Sequence, residues 1–412
     1  MLRCGLLGER LSHSFSPQIH AELGDYEYRL YEKKPEELED FLRHGAFDGL
    51  NVTVPYKRAV VPFCDSLSSV AAITGSVNTL IRRPGGGLYG DSTDIFGFGF
   101  LLKKTGVDLD AGRTLVLGSG GSSLAVQAAL LEMRAREFAV ISRSGADHYG
   151  NLEKHSGAVM LINTTPVGMY PDNGASPIAD LGLFPSCRTV IDLIYNPART
   201  ELLLQAEERG LLAVNGLTML VAQAKRSAEL FTGAPVPDEA IDAVAAKIAR
   251  DTQNIALIGM PGCGKTSVGT ALAKKLGRPF ADTDARVAEA AGKPIPAILA
   301  EDGEDAFRKL ETEALRDFCA RSGMVVATGG GVVTRPENRR ILRQNSVVVY
   351  VDRALNELSV SGRPLSQRDG VEALAAARLP LYATWGEVAV PVRGGVERTA
   401  ADICEKLFGG MA

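Results

Sequence analysis

Ile255-Ala256-Leu257-Ile258-Gly259-Met260-Pro261-Gly262-Cys263-Gly264-Lys265-Thr266 decides the reading of the C-terminal part of this chain. Four apolar residues run into Gly-x-x-x-x-Gly-Lys-Thr, the pattern of a buried strand feeding a phosphate-binding loop and then a helix. Glycines let backbone amides close around phosphate oxygens. Lys265 reaches the β- and γ-phosphates, and the Thr266 hydroxyl ligates magnesium. Gly262, Gly264 and Thr266 are therefore candidate contacts to ATP, with Mg2+ as its companion. About 140 residues upstream stands a second junction of the same kind, Thr114-Leu115-Val116-Leu117-Gly118-Ser119-Gly120-Gly121-Ser122-Ser123. Its glycines suit the pyrophosphate of a dinucleotide placed at a helix N-terminus. Two nucleotide loops of different chemistry predict two enzymes fused end to end, one redox and one kinase.

Working outward, 412 residues exceed one ordinary core and predict roughly two to three domains. A hydrophobic content of 45% and a charged content of 23% belong to an ordinary globular protein. The net charge of -4 gives no footprint for nucleic acid or an anionic membrane. No apolar run is long enough to span a bilayer, and the stretch Met1–Glu9 is too short and too soon interrupted for a signal peptide. Six cysteines lie scattered without CxxC spacing, which predicts neither a disulfide framework nor a zinc site. A reduced, cytoplasmic protein acting on small molecules is the expectation.

Apolar runs bounded by Gly or Pro alternate with helical periods: Arg113–Leu117, Phe138–Ser142, Val159–Asn163, Val190–Leu193, Asn254–Ile258, Met324–Thr328 and Ser346–Val351. They predict buried parallel strands joined by crossover helices, an α/β chain of doubly wound sheets. Pro235 and Pro237 are expected to break a helix, and Asp238–Arg250 to form an amphipathic one that ends before a new strand.

In the first half the strand Phe138–Ser142 ends in Ser142-Arg143-Ser144. An acidic residue there would hold the ribose hydroxyls of NAD, whereas an arginine accommodates a 2′-phosphate, so Ser142 and Arg143 favour NADP(H). Gly118, Gly120 and Gly121 would carry its pyrophosphate. Ahead of that loop lie polar clusters at strand ends. They are Ser14-Phe15-Ser16-Pro17, Asn51-Val52-Thr53-Val54-Pro55-Tyr56-Lys57, Val77-Asn78-Thr79 and Gly90-Asp91-Ser92-Thr93-Asp94. Such clusters suit a polyhydroxylated small molecule.

These stretches resemble shikimate dehydrogenases. The likeness continues through Asn163-Thr164-Thr165-Pro166-Val167-Gly168-Met169, Asp192-Leu193-Ile194-Tyr195-Asn196-Pro197 and Gly216–Gln223, and covers about residues 1–250. It implies a two-lobed unit with a Rossmann NADP domain, the substrate lobe at 1–101 completed by 215–250 and the NADP lobe at 102–214. By the same likeness Ser14, Ser16, Thr53, Asn78, Tyr195 and Gln223 contact substrate, and Lys57 with Asp94 forms the catalytic pair. A ring ketone reduced by hydride needs a proton for its developing alkoxide, and a lysine oriented by a carboxylate can give it. Only about fourteen residues separate Ser144 from the strand near Val159, so the NADP lobe is expected to be cut down. Ser92 and Ser119 are mild departures from the family pattern.

In the second half, Phe280-Ala281-Asp282-Thr283-Asp284 puts two carboxylates at a strand end. Strand alternation sends them to opposite faces unless the chain has already turned. Arg308 and Glu311 share one helix face, Thr328–Val333 holds three consecutive glycines, and Arg363-Pro364-Leu365 and Arg378–Tyr382 flank a segment that could close as a lid. This ordered set resembles shikimate kinases over about residues 252–412, which implies a P-loop, nucleoside-monophosphate-kinase-like parallel-sheet domain. The likeness implies that Asp284, Arg308, Gly330 and Arg378 hold shikimate, that Asp282 helps position magnesium beside Thr266, and that Arg363 contacts the phosphates. It also makes Asp284 the group that orients the attacking hydroxyl, with Lys265 on the phosphates. The spacing from Arg363 to Arg378 predicts a shortened lid.

The combined expectation is a bifunctional enzyme. NADPH-dependent reduction of 3-dehydroshikimate to shikimate is followed by ATP- and Mg2+-dependent phosphorylation of shikimate to its 3-phosphate. Two alternatives stay open at this point: a quinate-using dehydrogenase fused to a kinase, and one half kept as a non-catalytic binding module. A matrix of substrates against cofactors separates the first, and binding without turnover would mark the second.

Overall fold

A computed structural model describes residues 1–11, 14–359, 368 and 370–409. The chain divides into two compact units. One comprises Met1–Gly168, Ser176–Tyr195 and Gln205–Arg250, and the other Met169–Ala175, Asn196–Leu204 and Asp251–Ala412.

The first unit carries two sheets. The N-terminal sheet consists of β1 (Arg3–Gly8), β2 (Glu27–Glu32), β3 (Gly49–Val52), β4 (Ser66–Leu67), β5 (Thr79–Arg82) and β6 (Leu88–Asp91), in the order β2-β1-β3-β5-β6-β4. It is mixed rather than wholly parallel, because β5 runs antiparallel to both β3 and β6. The reason is local. Arg83-Pro84-Gly85-Gly86-Gly87 is a tight connection between β5 and β6, with Gly85 and Gly86 at φ +95°, so the strand returns as a hairpin instead of crossing over.

The second sheet of this unit is wholly parallel: β7 (Arg113–Leu117), β8 (Glu137–Ile141), β9 (Met160–Asn163), β10 (Thr189–Asp192) and β11 (Leu212–Asn215), in the order β11-β10-β9-β7-β8. β9 and β10 are buried at every position, as apolar runs in a parallel sheet must be. The shortened stretch after Ser144 forms a seven-residue 3-10 segment, Tyr149–His155, and the chain passes from β8 directly to β9 on the far side of β7. β8 therefore stays an edge strand.

In the second unit β12 (Asn254–Ile258), β13 (Phe280–Asp282), β14 (Val325–Ala327), β15 (Ser346–Asp352) and β16 (Val388–Pro391) form a parallel sheet, in the order β13-β14-β12-β15-β16. β12 is central and fully buried, so the loop that follows it leaves the middle of the sheet.

Observed strands agree with the sequence reading to within one or two residues. The helix expected at Asp238–Arg250 spans Glu239–Thr252. One expectation is corrected: helix Leu217–Thr232 stops at Gly233, a left-handed C-cap at φ +70°, before either proline is reached.

Helices Asp94–Thr105 and Leu217–Thr232 pack unusually closely. A Cβ on Gly97 would stand 2.7 Å from the Met219 carbonyl oxygen and 3.0 Å from Gln223 Cβ. That approach holds the start of the first helix, with Asp94, against Gln223 on the second. Gly97→Ala is expected to cost about 1–3 kcal/mol through overpacking. A thermal melt should show the loss, and reduction activity should fall while phosphorylation persists. An unchanged melt would show that the helices can part without penalty.

Candidate active sites

In the first unit the polar strand ends converge. Lys57 Nζ donates to Asp94 Oδ2 at 2.5 Å, and both side chains are largely withdrawn from solvent. Asp94 opens a helix, where the exposed amides of the first turn favour a carboxylate. Its other oxygen, Oδ1, accepts from Asn78 Nδ2 at 2.9 Å. Asn78 follows a turn into β5, and its Oδ1 accepts the backbone N–H of Thr93 at 2.8 Å. A backbone amide can only donate, so the oxygen of Asn78 must face Thr93 and its NH2 must face Asp94. The same NH2 lies 3.3 Å from Gln223 Oε1.

Ser14 donates to Ser16 Oγ at 3.1 Å and accepts the Ser16 amide at 3.2 Å. The Tyr195 ring lies 5.1 Å from that of Phe15, and burial raises its phenol above the ordinary range, with Ser14 near enough to oppose that rise. Thr53, just past β3, is half-buried and ties its amide to the Leu7 carbonyl at 2.9 Å. Lys57, Asp94, Asn78 and Gln223 form one polar patch of the unit.

The glycine loop reaches the same patch. Gly118 holds φ +106°, and a Cβ there would collide with Thr164 and Thr165. Gly120 precedes helix Gly121–Glu132, and a Cβ on Gly121 would sit 3.3 Å from Ser76 Oγ and 3.9 Å from Lys57 Cδ. The helix N-terminus thus opens beside the lysine. Ser142 lies just beyond β8 and donates to the Ser144 carbonyl at 2.6 Å. Arg143 is exposed at that strand end, close enough to Tyr149 to influence its phenol. These features suit a dinucleotide: amides at a helix start, an open glycine edge and an arginine beyond the next strand.

In the second unit the P-loop wraps the start of helix Lys265–Leu276, with Gly262 at φ +85° and Gly264 at φ +103°. Lys265 is buried, and its ammonium donates to the loop carbonyls of Gly259 at 2.8 Å and Met260 at 3.0 Å. Thr266 donates to Asp282 Oδ2 at 2.7 Å. A hydroxyl and a carboxylate paired next to a phosphate loop are hard-oxygen donors of the kind magnesium takes.

The strand question at Asp282 and Asp284 is resolved by an early turn. β13 ends at Asp282, which caps helix Thr283–Ala291 by accepting the amides of Asp284 at 2.9 Å and Ala285 at 3.3 Å. Asp284 then lies on the first helical turn, and both carboxylates line one cavity of about 230 Å³. Arg308, Gly330 and Arg378 line it too. Arg378 lies within helix Val371–Trp385 and donates to the Gly330 carbonyl at 3.3 Å. The phenol of Tyr382, one turn on, donates to the same carbonyl. Arg363 lies outside the described residues, so the expected lid is not placed.

Glu311 was not singled out as a site residue, yet it is central here. It is fully buried, accepts Arg308 Nη1 at 2.7 Å through Oε2, and leaves Oε1 without a hydrogen-bond partner among the described residues. Asp284 Oδ1 is likewise unpartnered. The two bare oxygens meet over Gly329, where a Cβ would stand 2.0 Å from Glu311 Oε1 and 2.7 Å from Asp284 Oδ1. The i, i+3 spacing with Arg308 was the only sequence signal for Glu311. That Gly329 must lack a side chain beneath it is visible only in three dimensions. Burial, then the carboxylates of Glu311 and Asp282, push Asp284 up to about 6. The cavity therefore presents two acceptors seeking donors, flanked by two arginines, beside a triphosphate loop. That arrangement suits a small hydroxylated acid.

Comparison with known proteins finds matches in both halves of the chain. A shikimate dehydrogenase substrate binding domain matches residues 6–80, a shikimate 5'-dehydrogenase C-terminal domain matches 216–245, and a shikimate kinase domain matches 261–408. The chain is 33% identical over 253 residues to the shikimate dehydrogenase (NADP(+)) of Clostridium perfringens strain 13, covering 56% of this chain and 93% of that protein. The structure is similar to shikimate dehydrogenase 1 from Peptoclostridium difficile, with 32% identity, a TM-score of 0.57, and coverage of 60% of this chain and 98% of that one. It is also similar to shikimate 5-dehydrogenase from Thermus thermophilus in complex with NADP(H) and shikimate. There the identity is 34%, the TM-score 0.54, and the coverage 60% of this chain and 99% of that one. The chain accordingly belongs to the shikimate dehydrogenase family, and a shikimate kinase domain follows that unit in the same polypeptide.

Proposed function

We propose that this bifunctional enzyme reduces 3-dehydroshikimate to shikimate in the unit of residues 1–250 and phosphorylates shikimate at its 3-hydroxyl in the domain of residues 252–412. One observation carries the reading: each unit joins a nucleotide loop to a polar site for a small hydroxylated acid, and the two family matches name the same acid. We assign 1–101 with 215–250 to substrate and 102–214 to NADP(H). Six free cysteines suit a reducing, cytoplasmic setting.

In the reductase, NADPH held along Gly118–Gly121 with Ser142 and Arg143 supplies the hydride. Lys57 gives a proton to the developing alkoxide and offsets its negative charge, while Asp94 fixes the ammonium in place. Ser14, Ser16, Thr53, Asn78, Tyr195 and Gln223 bind the substrate.

In the kinase, ATP with Mg2+ at Thr266 and Asp282 supplies the phosphoryl group. Lys265 exchanges its loop carbonyls for phosphate oxygens, and the amides of Gly262 and Gly264 face the same anion. Arg308 and Arg378 grip the carboxylate of shikimate, beside the backbone of Gly330. Asp284 orients the attacking hydroxyl and accepts its proton. We place Arg363 on the phosphates by family likeness alone.

The two sites should separate by mutation. Lys57→Ala is expected to abolish NADPH oxidation with 3-dehydroshikimate and leave shikimate-dependent ATP consumption intact, and Lys265→Ala to do the reverse. A folded variant silent in both assays would overturn the assignment.

The pH dependence has a definite sign. A base raised to about 6 is protonated below that pH and cannot accept a proton. Kinase kcat/KM for shikimate should therefore fall about ten-fold per pH unit as pH drops below about 6. Asp284→Asn should lower it by roughly 10²–10⁴-fold and flatten that limb. The same shift bears on stability. Between the ordinary aspartate value of 3.8 and about 6 the folded chain binds the extra proton, so this residue's contribution to stability declines as pH rises through that window.

A further inference from the structure

Behind the Lys57–Asp94 pair lies a layer of uncharged polar side chains: Asn51 on β3, Thr79 on β5, Thr93 at the head of helix Asp94–Thr105, and Ser227 on helix Leu217–Thr232. All four are buried. Ser227 is fully enclosed, one turn beyond Gln223, and its hydroxyl donates to the Gln223 carbonyl at 3.0 Å. A carbonyl can only accept, so the single proton of Ser227 is committed there. Its lone pairs are left to accept from Asn51 Nδ2 at 2.8 Å and from the Thr93 hydroxyl at 3.2 Å, with Thr79 Oγ1 2.9 Å away. In this orientation Asn51 Oδ1 accepts the Tyr28 hydroxyl at 2.8 Å.

The threonines are the link to the catalytic pair. Thr79 Oγ1 donates to Asn78 Oδ1 at 3.0 Å, and Thr93 Oγ1 lies 3.2 Å from the same oxygen. Asn78 in turn presents its NH2 to Asp94. Without the Ser227 hydroxyl, the buried Asn51 amide keeps only its 3.4 Å contact to Thr79 Oγ1. An unsatisfied buried donor draws its neighbour in. Thr79 would be pulled toward Asn51 and away from Asn78, and Asn78, still held by the Thr93 amide, would lose a second donor to Oδ1 that steadies its placement against Asp94.

We propose that Ser227 is a positioning residue for the reductase: it anchors the buried Asn51, Thr79 and Thr93 layer that holds Asn78 against Asp94, and so sets the geometry of the Lys57–Asp94 pair. The inference rests on the reading of Lys57 and Asp94 given above. It differs from a purely structural role in what it predicts for turnover.

The test uses the full chain, with its kinase activity as an internal control. Ser227→Ala should lower kcat for 3-dehydroshikimate reduction roughly 10- to 100-fold, the scale expected when a reacting group loses its alignment. KM should stay within about two-fold, with sites counted by NADPH titration and kinase turnover unchanged. Ser227→Thr, which keeps the hydroxyl, should restore kcat to within about three-fold. Wild-type kcat per NADPH site in Ser227→Ala would overturn the proposal. So would a lowered melting temperature with kcat intact, which marks a purely structural role. If Ser227→Ala fails to bind NADPH, the near-isosteric Ser227→Cys decides, because a thiol accepts hydrogen bonds only weakly. The same kcat loss there supports the proposal, and wild-type kcat overturns it. Lys57→Ala is measured in parallel: if that variant still reduces substrate, the site assignment has failed rather than the role of Ser227.

Discussion

A carboxylate taken out of water must find donors or pay a penalty, and the two sites of this chain are opposite answers to that constraint. Asp94 is buried with both oxygens served, one by the Lys57 ammonium and one by Asn78. It is locked, and in the proposed reductase it holds a lysine still. Asp284 is buried with Oδ1 bare and two other carboxylates near it, and it rises to about 6. It is unsatisfied, as the proposed acceptor of a substrate hydroxyl would be. In the proposed reactions the same residue type serves as an orienting group in one unit and a base in the other because of what surrounds it.

Both carboxylates reach their places through the same local device, a strand that ends and turns at once into a helix. Asp94 is the first residue of its helix, and Asp284 lies in the first turn of another whose cap is Asp282. Each nucleotide loop also opens a helix, at Gly121 and at Lys265. At the helix that starts at Thr283 the first-turn amides are accepted by the Asp282 carboxylate, and the helix starts at the two glycine loops suit phosphate groups. Fixed partial charges of this kind need no rearrangement when a ligand arrives.

Much of this was legible in the chain. Continuous apolar runs before glycine loops marked the central strands, because a parallel strand is covered on both faces and cannot alternate. Lys57, Asp94, Lys265, Thr266 and Arg308 stood out because no core needs them at strand and helix ends. The hairpin that makes the N-terminal sheet mixed was missed, although Pro84 and three following glycines announced a tight turn. The stop at Gly233 was credited to the prolines beyond it. In both cases the turn chemistry was present and a longer-range pattern was allowed to override it.

What the sequence determined by itself was the loop chemistry of each half, since loop composition suffices to specify phosphate binding, while the pairing of Lys57 with Asp94 followed from the likeness to shikimate dehydrogenases. Tertiary structure decided the rest. It alone shows Glu311 and Asp284 facing each other over Gly329, because that contact joins three elements and depends on the absence of a Cβ. It alone places Ser227 behind Asn78, as the two are 149 positions apart and meet only through helix packing at Gly97 and the intervening threonines. Hydrogen-bond satisfaction is a property of the folded interior, where water is gone and each donor must be counted. Spacing along a chain carries no record of it.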